Sequence, residues 1–218
     1  VFNLPVTVQA GATIGSYDIV AAATGTVGGQ TVVDNAVAPH PRASIQVQAA
    51  ATLVYEPATL TPVVTSRGKT YAFQATLRNT GGGLAFLDST NTRLTFTDGV
   101  RTFSASPMQN YAIAGGGAMQ TIAFRPKAVP GASTPGSYPV NLNAMGTENG
   151  VPTTWPVPLD GSPISVVTPA SVASAPGDAL DPDQVSKTAT VAFSVQVVNS
   201  GGATVNLSPA TTTIRFAA

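Results

Sequence analysis

The chain has 218 residues, of which 43% are hydrophobic and only 9% charged, against about 25% in ordinary soluble domains. Ten basic and ten acidic side chains cancel, which excludes a global field that would recruit nucleic acid or an anionic membrane. Cysteine is absent, excluding disulfides and thiolate–metal sites, and no apolar run reaches the ~18 residues of a membrane-spanning helix.

Taken from the front, Val1-Phe-Asn-Leu-Pro5 has neither an initiator Met nor a charged n-region followed by an apolar stretch. Either a leader has been removed or the chain is a piece of something longer, and the broken phase of its internal repeat favours the second. Val37-Ala-Pro39-His40-Pro41-Arg42 marks a first seam, because paired prolines stiffen an extended linker and cannot donate to a central ladder. Beyond it no segment keeps a helical period, and alternation with period 2 dominates. Tyr71-Ala-Phe73-Gln-Ala75-Thr-Leu77 predicts a strand, Asn79-Thr-Gly-Gly-Gly83 a turn, and Thr92-Arg-Leu94-Thr-Phe96 a further strand. Asp98-Gly99 predicts a hairpin turn, with strand-like Val100–Phe103 and Tyr111–Ile113 after it. Gly115–Gly117 and Pro135-Gly136 are turns, and Tyr138-Pro-Val140-Asn-Leu142-Asn-Ala144 is a strand. Asn149-Gly150 is the strongest hairpin signal, since both residues accept the positive φ of a type I′ turn. Pro156 to Pro163 marks a second seam, and Val191-Ala-Phe193-Ser-Val195-Gln-Val197 a later strand. Short strands separated by turn signals at this spacing describe antiparallel β-sandwiches.

The chain also repeats itself. Shifted by 120 positions, Tyr71–Gly82 lies on Val191–Gly202, with Asn79 on Asn199 and Gly81-Gly82 on Gly201-Gly202. Shifted by 121, Gly15-Ser-Tyr17 lies on Gly136-Ser-Tyr138, and Ala23-Thr-Gly25-Thr26 on Ala144-Met-Gly146-Thr147. A fixed period is the mark of a modular array. The expected division is the end of one repeat at 1–42, a complete repeat at 43–163 and the start of a third at 164–218. A rival phasing, 1–98 and 122–218 joined by 99–121, is disfavoured by the strand-like runs inside 99–121. Preserved alternation places the same face inward in each copy. The expected core is Phe73, Leu77, Leu94, Phe96, Tyr138, Val140 and Leu142, with Phe193, Val195, Val197 and Phe216 in the other copy.

The order of strand, Asn-Thr-Gly-Gly, strand, Leu-Thr-Phe-Thr-Asp-Gly, Gly-Gly, Thr-Ile-Ala-Phe and Pro-Gly-Ser-Tyr resembles bacterial immunoglobulin-like surface repeats of the cell-adhesion-related (CARDB-like) type. The resemblance covers Tyr71–Gly150 and, through the repeat, Val191–Phe216 and Val1–Gly29. It implies tandem immunoglobulin-like antiparallel β-sandwiches used as a spacer or adhesive module outside the cell. The low charge and the lack of an acidic calcium-type turn depart from that pattern.

No reaction is legible. His40 is the only histidine, and it sits between prolines with no orienting partner for acid–base work or ligand set for a metal. Asp178, Asp181 and Asp183 cluster, but no bidentate Glu follows and the matching stretch Ala58–Val63 has no acid, so a calcium site is not expected. The glycine runs lack the strand-to-helix context and Lys-Ser/Thr of a phosphate loop. Trp155 is read as a strand aromatic capping the core, and Lys69 and Lys187 sit at non-equivalent repeat positions, against a Lys–Asn cross-link. Neither catalytic, cofactor nor metal residues are expected. The expectation is a non-enzymatic structural module of an extracellular or cell-surface protein: a spacer, an adhesin stalk or a subunit pairing head to tail. Its partners would be neighbouring repeats or copies of itself, with surface glycans or other surface proteins as further candidates; neither nucleic acid nor a membrane is among them. The alternative is a carbohydrate- or ligand-binding sandwich, which needs Trp155 beside a second exposed aromatic.

Overall fold

Alternation broken by glycine, proline and asparagine produces strands throughout. The computed structural model describes residues 6–9, 11–19, 23–34, 43–175, 184–188 and 190–213, and among these there is no helix. The front segment holds β1 (Gly15–Ile19), β2 (Ala23–Val27), β3 (Gln30–Asp34) and β4 (Ala43–Val47). The central unit begins with β5 (Leu53–Tyr55), β6 (Val64–Ser66), β7 (Thr70–Tyr71), β8 (Gln74–Asn79) and β9 (Ala85–Leu87). It continues through β10 (Arg93–Thr97), β11 (Thr102–Ala105), β12 (Tyr111–Ile113), β13 (Ala118–Ala123) and β14 (Lys127–Ala128). It closes with β15 (Gly136–Tyr138), β16 (Asn141–Glu148), β17 (Val151–Pro158) and β18 (Ile164–Val167). The rear segment has β19 (Val172–Ser174) and β20 (Val197–Asn199).

In the central unit one sheet runs β13-β8-β5 and the other β11-β10-β16-β9-β12, with β17 beside β16. Ala75, Leu77 and Ile122 of the first sheet share one hydrophobic cluster with Leu94, Phe103 and Leu142 of the second. A third, small sheet ties the ends together: β18 pairs antiparallel with β15 and parallel with β6. The fold is all-β and mostly antiparallel, as the alternation predicts.

The predicted core residues Phe73, Leu77, Leu94, Phe96, Val140 and Leu142 are buried, and Tyr138 packs half-buried against them. The rear copy departs from expectation. Phe193 is half-buried, but Val195 and Val197 are 45% and 48% exposed, because among the described residues the only strand paired with β20 is β19, and no second sheet covers β20 or the segment before it. Phe216 lies outside the described residues.

Pairing and packing cross both expected seams. Ala43–Val47 pairs with β1 of the front segment, and Ile164–Val167 is part of the central core. Pro156–Pro163, read as a linker, is the end of β17 and the turn after it. Leu159 donates its N–H to the Val140 carbonyl. Alternation therefore turns the nitrogens of Pro152, Pro156 and Pro158 away from β16, where the sheet ends and no ladder donor is missed.

Pairing repeats along with sequence. β1–β4 registers Gly15, Ser16 and Tyr17 with Val47, Gln46 and Ile45. β15–β18 registers Gly136, Ser137 and Tyr138 with Val166, Ser165 and Ile164. The β16–β17 hairpin turns at Asn149-Gly150 with φ of 46° and 86°, as predicted, and its counterpart β2–β3 turns at Gly28-Gly29 with φ of 60° and 80°. Gly146, matched by Gly25 in the repeat, is required by proximity: a methyl there would overlap the Phe86 carbonyl.

Candidate functional site

The most elaborate polar construction joins the segment 49–52 to the turn after β8. Asn79 ends β8 and is fully buried. Its Oδ1 accepts N–H groups from Thr52 and Gly81, both at 3.1 Å, and its Nδ2 donates to the carbonyls of Gly83 (2.8 Å) and Ile113 (3.1 Å). One carboxamide thus joins the entry strand, its own turn and the neighbouring loop, using both lone-pair directions and both protons. The segment 49–52 is gripped from the far side as well. Glu148 accepts the Ala51 N–H at 2.6 Å, and the Trp155 indole donates to the Ala51 carbonyl at 3.1 Å. Gly81 packs so closely on this segment that a methyl would overlap the Ala50 carbonyl oxygen.

The same clasp recurs one period later. Asn199 Oδ1 accepts N–H groups from Ser171 (3.1 Å) and Gly201 (3.0 Å), and its Nδ2 donates to the Ala203 carbonyl at 2.8 Å. A methyl on Gly201 would overlap the Pro169 carbonyl oxygen. The matched Asn-Ser/Thr-Gly-Gly strings were legible in sequence as turns. Their grip on the preceding segment was not, because it is a contact between positions some thirty residues apart.

A second tie holds the opposite end of the central unit. Asp98 heads the β10–β11 hairpin, a four-residue loop rather than the two-residue turn that Asp98-Gly99 predicts. Its Oδ1 accepts the N–H groups of Val100 (3.0 Å) and Arg101 (2.6 Å), and its Oδ2 that of Thr134 (3.0 Å). These bonds, that of Arg101 foremost and Thr134 next, hold the carboxyl well below its ordinary 3.8, at about 2. A depressed carboxylate contributes stability above its unfolded-state pKa and loses it as pH falls through the folded value. Asp98→Asn is therefore expected to lower the melting temperature at pH 7, with the gap to wild type closing between about pH 4 and pH 2. Thermal melts across that range check this; a gap that does not change with pH contradicts it.

The remaining candidates do not converge. His40, Asp178, Asp181 and Asp183 lie outside the described residues. Among the described residues no three His, Asp or Glu side chains group as a metal site. Trp155 is buried, with its indole N–H engaged, and offers no ring face to a ligand. Lys69 and Lys187 are exposed. The glycine runs are turns stacked on one another, Gly116 donating to Gly81 O and Gly117 to Asn79 O.

No protein-family model matches the chain, and no curated protein matches its sequence. Among solved structures it is similar to the Pseudomonas fluorescens alkylpurine DNA glycosylase AlkC bound to DNA containing an abasic site analog. The identity is 14% and the TM-score 0.30, over 51% of this chain and 31% of that one. A likeness at that level carries no argument about function.

Proposed function

We propose that the chain is a non-catalytic structural segment of a bacterial extracellular or cell-surface protein, built from tandem immunoglobulin-like modules that act as a spacer or stalk. The observation that carries this reading is the clasp made twice, by Asn79 and by Asn199, at the entrance to successive repeats. An array needs each module to receive the chain from the last in the same way, and nearest-neighbour contacts of this kind are what hold repeat proteins together. The immunoglobulin-like assignment is supported by Tyr138, whose hydroxyl donates to Thr134 O at 2.6 Å, and by Tyr17, which donates to Thr13 O at 2.7 Å. A tyrosine hydroxyl bonded back to the backbone a few residues upstream is a hallmark of these sandwiches, although Tyr138 ends β15 and Tyr17 lies within β1. On this reading the modules divide near 47/48 and 167/168.

The end segments present the faces that a complete module buries. Tyr17 and Ile45 are 42% and 38% exposed, whereas their counterparts are the half-buried Tyr138 and the buried Ile164. We infer that neighbouring strands, from adjoining repeats or from a second copy pairing head to tail, cover these faces in the assembled protein. Small-angle scattering of chains with one, two and three complete repeats tests the spacer reading. The maximum dimension is expected to grow by a constant increment per repeat, and a dimension that fails to grow overturns it.

A further inference from the structure

The solvent face of the larger sheet carries a cleft that the spacer reading leaves unused. Ala85 and Leu87 are buried, so alternation turns Phe86 outward, where it is 40% exposed. Thr147 stands opposite Phe86 in register, and Pro152 opposite Thr147, forming one row across β9, β16 and β17. In the next row Asp88 donates its N–H to Met145 O, and Met145 pairs with Thr154. The loop 88–91 and Asn110 wall the end of a cleft of about 540 Å³, within the range of roughly 300–1,000 Å³ usual for small-molecule sites.

We propose that this cleft is a binding subsite for an uncharged sugar ring. A pyranose has an apolar C–H face and a rim of hydroxyls, and the cleft has the complementary halves. Phe86, Met145 and Pro152 supply an apolar floor with an open aromatic ring. The rim supplies both hydrogen-bond senses. Thr90 donates its N–H to Asp88 Oδ1 at 2.7 Å, and Asn91 Nδ2 donates to Oδ2, which fixes the carboxylate and leaves it further capacity to accept. Asn110 Oδ1 accepts the Ser89 N–H at 2.9 Å, which orients that carboxamide and leaves its NH2 to donate. No Lys, Arg or His lines the cleft, and the single carboxylate repels phosphates, sulfates and uronates. Trp155 is buried, as its reading as a strand aromatic capping the core expects, and the aromatic ring left exposed on this face is that of Phe86.

The proposal is independent of the spacer reading. Saturation-transfer NMR on the 218-residue chain tests it with cellotetraose, chitotetraose and tetragalacturonate. At least one neutral tetrasaccharide is expected to receive saturation, strongest at its ring C–H protons, and the anionic one none. Phe86→Ala and Asn110→Ala alter exposed side chains, and each is expected to weaken binding at least about tenfold, while Met119→Ala on the opposite sheet leaves it unchanged. Absence of transfer to both neutral sugars, equal transfer to tetragalacturonate, or transfer undiminished in both cleft variants overturns the proposal.

Discussion

Truncating Phe73 to Ala is expected to destabilise the central unit by about 3–5 kcal/mol, the range for deleting a fully buried aromatic ring. Phe73 is 0% exposed. Its ring centroid lies 5.1 Å from that of Phe103 and 6.4 Å from that of Phe96, and those two stack on each other at 4.6 Å. Phe73 immediately precedes β8 of one sheet, and Phe96 and Phe103 belong to the other, so the ring bridges the layers, and its carbonyl accepts the Phe124 N–H. Phe96 and Phe103 are paired with each other in the β10–β11 ladder and cannot collapse into the space, which puts the cost at the cavity-forming end of the range. Urea unfolding measures it, and a loss below about 1 kcal/mol would show that the layers close over the gap. The counterpart change, Phe193→Ala, removes a ring that is only half-buried and is expected to cost less.

The second large effect is expected at the clasp. Asn79→Ala removes two donors and two acceptor directions from a site without water access, leaving the Gly83 and Ile113 carbonyls and the Thr52 and Gly81 amides to find other partners. Unsatisfied buried groups cost about 1–3 kcal/mol each. Part of the set lies near solvent, so the expected total is about 2–4 kcal/mol. Asn199→Ala breaks the equivalent bonds where the carboxamide is exposed, and water replaces them at a cost below about 1 kcal/mol. Amide exchange separates the two cases: faster exchange across 51–55 in the first variant, and little change outside 171–174 in the second. Equal losses in both would mean that burial does not set the strength of the clasp.

Much of the fold was legible because it is local. Alternation at Tyr71–Leu77 and Tyr138–Ala144 fixes which side chains face inward, and a one-residue slip would invert them. Asn149-Gly150 specifies its turn through the φ values that its residues tolerate. The two copies of Asn-Ser/Thr-Gly-Gly announced that a turn recurs, and the shifts of 120 and 121 positions placed it. The proline run at 156–163 misled for a physical reason. Proline is barred from a central ladder, yet an edge strand accepts it wherever its nitrogen faces outward, and nothing local says which strand becomes an edge.

By itself, then, the sequence determined strand periodicity, the Asn149-Gly150 turn, the repeat and the inward face of the central unit. Periodicity and turns depend on residues within a few positions of one another, and the repeat on comparing such local patterns along the chain. Tertiary structure decided the rest: that Ile164–Val167 lies parallel to Val64–Ser66, that Trp155 turns in to hold Ala51 while Phe86 turns out, and that Val195 and Val197 stay exposed where Ala75 and Leu77 are buried. Those outcomes depend on which sheet covers which face. The same alternation yields a buried or an exposed side chain according to whether a second layer is present to remove it from water.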